Sequence, residues 1–262
     1  MLDARSIGAA TARVGTAATL LLPVALLLVF VRQLVAFRDP FVPWSEDARL
    51  LLAGTAWGRT WTLWLVLACL APILFARAAR KGGWAWPAAT ACILALGAFP
   101  AATGHANTPG PLRPLALVAD TLHVWSAGAW IGGLGTMLWL EASWRRKGRG
   151  GPGLLPALVP RFSPVALVSA AVLVATGILG GWMHLPSVPA LWSGAYGRTL
   201  VLKVLLVAAV LALGFVNWRR MRPALGRPGG PERLARVATG EFLFAQLVLL
   251  VTAVLVQTPP GG

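Results

Sequence analysis

HVWSAGAWIGGLG, residues 123–135, contains a single side chain that titrates near neutral pH, the imidazole of His123. The flanking sequence is also mostly apolar, so residues 115–140 are long enough to cross a bilayer as one helix. Lipid offers no hydrogen-bond partners to the backbone, and a helix satisfies its own backbone groups internally. The stretch therefore predicts a transmembrane helix that carries a histidine.

The composition of the whole chain also indicates that lipid, and not water, surrounds most of the protein. Hydrophobic residues make up 57% of the 262 residues and charged residues only 12%, whereas soluble domains carry about 25% charged residues. Too few polar side chains remain to cover a surface exposed to water. We expect a single all-α integral membrane domain over residues 1–262, a polytopic transmembrane helical bundle in the lipid bilayer.

The number of membrane spans follows from counting apolar stretches of about 20 residues. Pro- and Gly-rich segments such as NTPGPLRP, residues 107–114, separate them. We count about seven spans, with eight as the alternative, and we interpret the first as a retained span rather than a cleaved signal peptide. The predicted spans are 14–36, 53–76, 85–103, 115–140, 163–184, 199–218 and 237–257.

The basic residues predict the orientation. Sixteen of the 23 lysines and arginines fall in the N-terminus and in segments 77–84, 141–162 and 219–236, and such residues favour cytoplasmic loops. We therefore expect a cytoplasmic N-terminus and a periplasmic C-terminus. Although the formal charge is +15, these clusters are short and lie between spans, which argues against a nucleic-acid partner.

Two other classes of site are disfavoured. Cys69 and Cys92 lie in separate apolar stretches without CxxC spacing, so neither a disulfide framework nor a zinc site is indicated. The sequence contains no HExxH motif, no Ser-His-Asp arrangement and no paired carboxylates. We expect that the chain is not an enzyme, although redox activity stays open.

All three histidines fall in the predicted outer half of the membrane. His105 follows the third span, His123 lies about 10–12 Å into the fourth, and His184 ends the fifth beside Met183. Imidazole ligands suit copper, and a thioether suits Cu(I). These four residues are the candidate metal ligands, with a core, loop or interfacial role as the alternative for each histidine.

Other ionisable side chains are also predicted to lie in the outer half of the membrane. Asp120 precedes His123 by one helical turn, and Lys203 lies about one turn into the sixth span, where the two could form a pair. Tyr196 and Arg198 precede Lys203 and are further candidates for the surroundings of the metal. Glu241, near the inner end of the seventh span, is either an exit-side acid or a partner of Arg236.

Several of these stretches resemble the CopD-type copper resistance membrane proteins. DTLHVWSAGAWIGGLGTML resembles the His-x6-Trp-x-Gly-Gly helix of the family, RFSPVALVSAAVLVATGILGGWMHL its Phe-Ser…Thr-Gly helix, and YGRTLVLKVLLVAAVLALGFVNWRR its Tyr-Gly-Arg-x4-Lys…Asn-Arg helix. The resemblance covers roughly residues 100–258. The matching positions are His123, Trp130, Gly132, Gly133, Phe162, Ser163, Thr176, Gly177, Tyr196, Gly197, Arg198, Lys203, Asn217 and Arg219.

The resemblance implies copper handling in the bacterial inner membrane, with import from the periplasmic side. It implies that His123 is the leading ligand, that Lys203 and Trp130 lie beside the metal, and that a periplasmic copper carrier is a partner. Family members often have eight helices. The oligomeric state is not indicated.

Two alternative functions stay open. Histidines on facing helices can ligate haem, so His123 and His184 could hold a haem b, or a copper centre, in an electron-transfer protein. The chain could also deliver copper to an assembling enzyme without transporting it.

Overall fold

A computed structural model describes residues 4–104, 107, 109–146, 153–185, 187–221 and 229–258, except for the side chains of Ala4, His184, Ser193, Arg220 and Met221. These ranges form helices and contain no strand, which confirms the all-α prediction. The α-helices are α1 (Ala4–Thr19), α2 (Leu22–Phe37), α3 (Trp44–Arg49), α4 (Ala56–Lys81), α5 (Ala85–Thr103), α6 (Arg113–Ala127), α7 (Gly133–Arg146), α8 (Leu155–His184), α9 (Ala190–Ser193), α10 (Ala195–Val216) and α11 (Gly230–Gln257). The π-helical segments are π1 (Leu50–Gly54), π2 (Gly128–Gly132) and π3 (Asn217–Met221).

Within the described residues, six helical segments are long and apolar enough to cross a membrane. The predicted fourth span falls on α6, π2 and α7, which follow one another without a break from Arg113 to Arg146. Large apolar side chains on the long helices face outward; Leu167, for example, is 70% exposed and Ile178 69%. Such surfaces are stable in lipid rather than in water, so the chain is a multi-pass membrane protein.

The first predicted span, 14–36, lies within the helical stretch Arg5–Phe37, which is long and apolar enough to cross a membrane. Within this stretch a two-residue turn separates α1 from α2. Pro23 lies in the first turn of α2, where the absence of an N–H and the fixed φ of proline are tolerated. Ala12 of α1 packs with Ala78 and Ala85, so small side chains and not apolarity alone hold α1 in place.

By its internal contacts the chain forms two compact units, residues 1–121 and residues 122–262. In the N-terminal unit, α4 lies against α1, α2 and α5. The indole Nε1 of Trp61 donates to the backbone oxygen of Leu26 at 3.1 Å, and the thiol of Cys92 donates to the backbone oxygen of Leu67 at 3.3 Å. Cys92 is therefore accounted for by packing, whereas Cys69 is exposed.

In the C-terminal unit, α10 packs along α11, and α7 and α8 contact α11, where Leu234 and Ala238 join their apolar cluster. The core contains Leu134, Met137, Leu155, Leu234 and Ala238. Gly133 and Gly135 lie directly against the rings of Phe162 and Phe242, and the absence of a Cβ allows this close packing. Gly128 and Gly132 have open space where a Cβ would lie.

Candidate functional site

His123 lies on α6 and contacts α8 through its side chain. The ring Nδ1 is 2.8 Å from the hydroxyl oxygen of Thr176, and the ring Cε1 faces Gly177, where even an added Cβ would be 3.8 Å away. The imidazole is half-buried. The two residues are 53 positions apart, so the packing of two helices brings them together.

The hydrogen bonds of Thr176 determine which ring nitrogen of His123 carries the proton. The Thr176 hydroxyl donates to the backbone oxygen of Val172 at 2.6 Å, which uses its one proton. Its oxygen therefore accepts from Nδ1–H of His123, and the lone pair of the neutral ring lies on Nε2. A histidine that donates through one nitrogen and presents the other is the arrangement found at metal sites.

Three of the predicted neighbours lie in the N-terminal half of α10. Lys203 is close enough to His123 for its positive charge to act on the ring. Tyr196 is half-buried and Arg198 is exposed, both in the first turn of α10. Of these three, Lys203 is the one whose interaction with His123 the structure records.

The other predicted ligands either lie on α8 at a different height from Thr176 or fall outside the described residues. Met183 is half-buried, and the backbone of His184 ends α8. At 1.5 Å per residue, they lie about 10 and 12 Å along the helix from Thr176. The side chain of His184 and the whole of His105 are outside the described residues. A shared site for the three imidazoles therefore stays a prediction.

Asp120 and Trp130 lie on either side of His123 in the sequence, but their side chains have different environments. Asp120 is half-buried on α6. Trp130 is buried in π2, and its Nε1 donates to the Glu241 carboxylate at 3.1 Å. The side chain predicted to lie beside the metal thus belongs to a second polar cluster.

The second cluster is centred on Glu241, whose side chain is 5% exposed. One carboxylate oxygen accepts from Trp130 and the other from Nδ2 of Asn217 at 2.6 Å. The described residues contain no ion pair between Glu241 and Arg236, so that sequence interpretation is wrong. Asn217 was noted only as a family position, because nothing in its own segment marks it as a partner of Glu241.

A second buried carboxylate of the C-terminal unit, Glu141 near the end of α7, was not predicted from the sequence. Its side chain is 3% exposed and accepts from the backbone N–H groups of Leu154 and Leu155 at 2.6 and 3.3 Å, and from Nε of Arg145 at 2.6 Å. It caps the N-terminus of α8. The Glu141/Arg145 spacing was readable as a helical pair, but the cap was not.

Across the described residues, no group of three or more His, Cys, Asp or Glu side chains is placed to hold a metal ion. Of the four predicted ligands, His123 is the one for which the structure records a side-chain hydrogen bond. A metal site that combines His123 with His105, Met183 and His184 stays a prediction.

Comparison with known proteins points to the same family as the sequence motifs. The family described as "Copper resistance protein D" matches residues 156–255, which confirms the CopD-type resemblance. "Copper transport protein CutJ" of Bacillus subtilis (strain 168) is 29% identical over 216 residues, 80% of this chain. The chain spans only 38% of the length of that curated relative. No solved structure matches the chain significantly.

Proposed function

We propose, taking the copper resistance protein D match over residues 156–255 as the premise, that this chain binds copper at His123 and moves it across a membrane. The proposed membrane is the bacterial inner membrane, the N-terminus is cytoplasmic, and the ion enters from the periplasmic side. His105, Met183 and His184 are the proposed entry ligands. A periplasmic carrier is the proposed source of the copper.

The observation that carries this proposal is the hydrogen bond between His123 and Thr176. An ionisable side chain within a span is costly, which makes a functional role the first hypothesis. The bond fixes the ring and leaves Nε2 as a ligand for a borderline or soft cation.

The position of Lys203 supports transit of the ion rather than storage. Its positive charge acts at the His123 ring, and like charges repel more strongly in a medium of low dielectric constant. A copper ion at Nε2 would thus be held less tightly than by His123 alone, and weaker binding speeds release.

The proposal is tested with detergent-purified protein and with the same protein in proteoliposomes. Metal analysis should find copper bound in a fixed ratio, the absorbance spectrum should lack a Soret band, and loaded vesicles should accumulate copper. A Soret band would support the electron-transfer alternative. Stoichiometric binding without accumulation would support the delivery alternative and contradict transport.

Replacing Thr176 with valine should weaken copper binding while leaving the fold intact. The isosteric side chain removes the oxygen that holds Nδ1–H, so Nε2 is no longer fixed as the ligand, and loss of such a partner costs about 10–100-fold in affinity. Equilibrium copper titration measures the change. Thr252→Val is the matched control, because Thr252 makes the same bond to its own helix at 2.7 Å; equal losses in both variants would contradict the assignment.

Replacing Lys203 with methionine should have the opposite effect on binding. Removing the positive charge should tighten copper binding on the order of tenfold and slow its release into vesicles. Copper titration and uptake rates measure the two changes. Arg198→Met, one turn earlier and exposed, is the control; weaker binding in Lys203→Met would show that Lys203 does not repel the ion.

A further inference from the structure

The cluster around Glu241 lies at a cavity of about 290 Å³ inside the C-terminal unit. Its walls are mostly apolar and include Met137, Phe162, Phe215 and Trp218, with Asn217 and Glu241 as polar members. Among the described residues that line it, Glu241 is the one side chain that titrates. A volume of this size has room for several water molecules, and the polar groups of Asn217 and Glu241 are the partners that water needs in a mostly apolar cavity.

The charge of Glu241 is not balanced by a cation in the described part of the chain. Its carboxylate is held by an indole N–H and an amide N–H, both neutral, and it enters no described ion pair. Burying an ionised carboxylate without a counter-charge is costly, and the usual way to avoid that cost is to bind a proton.

Asn217 can satisfy both forms of this carboxyl group. Its Nδ2 now donates to Glu241, which suits the ionised form, and its buried Oδ1 has no hydrogen-bond partner in the described structure. A half-turn of the amide would present Oδ1 to a carboxylic acid O–H. Trp130 donates to the other oxygen in either form.

Both hydrogen-bond donors to Glu241 lie in π-helical segments. Trp130 lies in π2 and Asn217 begins π3, and π-helical turns inside α-helices occur frequently at functional sites. Gly214 lies beside the carboxylate of Glu241: a Cβ added at Gly214 would be 3.4 Å from Oε1. Two separate irregular turns thus converge on one carboxylate.

We propose that Glu241 is a proton-binding site that couples proton movement to copper movement. A hydronium ion in the cavity gives its proton to Oε2, which forms the O–H bond of a carboxylic acid and leaves water; the Asn217 amide turns to accept it. Release to water on the other side restores the carboxylate. This proposal rests on the proposed copper transport and adds its driving force.

The other charged groups on the packed helices do not line the cavity. Their charges set the field in which Glu241 titrates, but none of the described ones forms an ion pair with it. They are Glu141, Arg145 and Arg146 of α7, Arg161 of α8, Arg198 and Lys203 of α10, Arg219 of π3, and Glu232, Arg233 and Arg236 of α11.

The test measures copper uptake and internal pH together in proteoliposomes. In the wild type, copper uptake should be accompanied by proton movement and should respond to an imposed pH gradient. Glu241→Gln should still bind copper but lose proton movement, with uptake reduced about tenfold or more. Glu232→Gln, on the same helix and exposed, should behave as the wild type.

The outcomes separate this proposal from the transport proposal. Wild-type uptake without proton movement would overturn the proton site and leave copper transport standing. A fall in bound copper in Glu241→Gln would make Glu241 a metal ligand and would also overturn it. If the wild type moves no copper, infrared difference spectra test the proton site by themselves. A pH-dependent carboxylic acid band that is present in the wild type and missing in Glu241→Gln would support the site. A wild type without such a band would overturn it.

Discussion

Replacing His123 with alanine is expected to reduce copper uptake to the level of protein-free vesicles. The substitution removes Nε2, the proposed ligand, together with the ring that Thr176 orients. Losing a partner that only orients a ligand costs about 10–100-fold in affinity, so losing the ligand itself should cost at least about 100-fold. Copper titration of purified protein and uptake in proteoliposomes measure the two effects.

Two further variants at this position separate ligation from packing. Asparagine places an amide N–H near the position of Nδ1 and can still donate to Thr176, but it has no atom at Nε2. Under the ligand hypothesis His123→Asn should bind copper as poorly as His123→Ala while keeping a wild-type melting temperature. Recovery of copper binding in His123→Asn would show that the role of His123 is structural.

Replacing Glu141 with alanine is expected to cause the largest loss of stability. The buried carboxylate accepts two N–H groups at the start of α8 and the Arg145 guanidinium, and helix N-termini have amides that need such partners. Leaving a buried N–H group without its acceptor costs about 1–3 kcal/mol, and Glu141→Ala does this at Leu154 and Leu155, whereas Arg145 is 40% exposed and can be solvated. Thermal unfolding in detergent should show a clearly lower melting temperature.

Two comparisons test whether the cap explains that loss. Glu141→Gln keeps one acceptor oxygen and should lose less stability than Glu141→Ala. Glu232→Gln removes the exposed contact to Arg145 at 2.9 Å and should change the melting temperature little, because exposed ion pairs contribute little. Equal destabilisation by Glu232→Gln and Glu141→Ala would contradict the capping role.

The backbone before α8 is shaped to allow this cap. Gly153 has φ 76°, a left-handed conformation that glycine adopts without strain. A Cβ at Gly153 would collide with the Glu141 carboxylate. The chain therefore needs glycine here for two reasons, its conformation and the close approach of Glu141.

The sequence alone was sufficient for the membrane-spanning helices, because hydropathy over about 20 residues is a local property and the bilayer requires backbone hydrogen bonds to be made locally. It predicted α5 with its observed ends, Ala85 and Thr103. It did not predict the two-residue turn between α1 and α2, because both helices lie in one continuous apolar stretch and hydropathy does not register the turn.

The sequence also singled out His123, because a histidine inside an apolar span is rare and costly. The tertiary structure alone decided its partner and the exposed nitrogen, through Thr176 on another helix. Likewise the sequence pattern offered Arg236, immediately before the predicted span of Glu241, as the partner of Glu241, whereas the donors in the structure, Asn217 and Trp130, lie 24 and 111 residues away. Hydropathy specifies which segments enter lipid, whereas helix packing determines which polar atoms meet, because those contacts join residues remote in the chain.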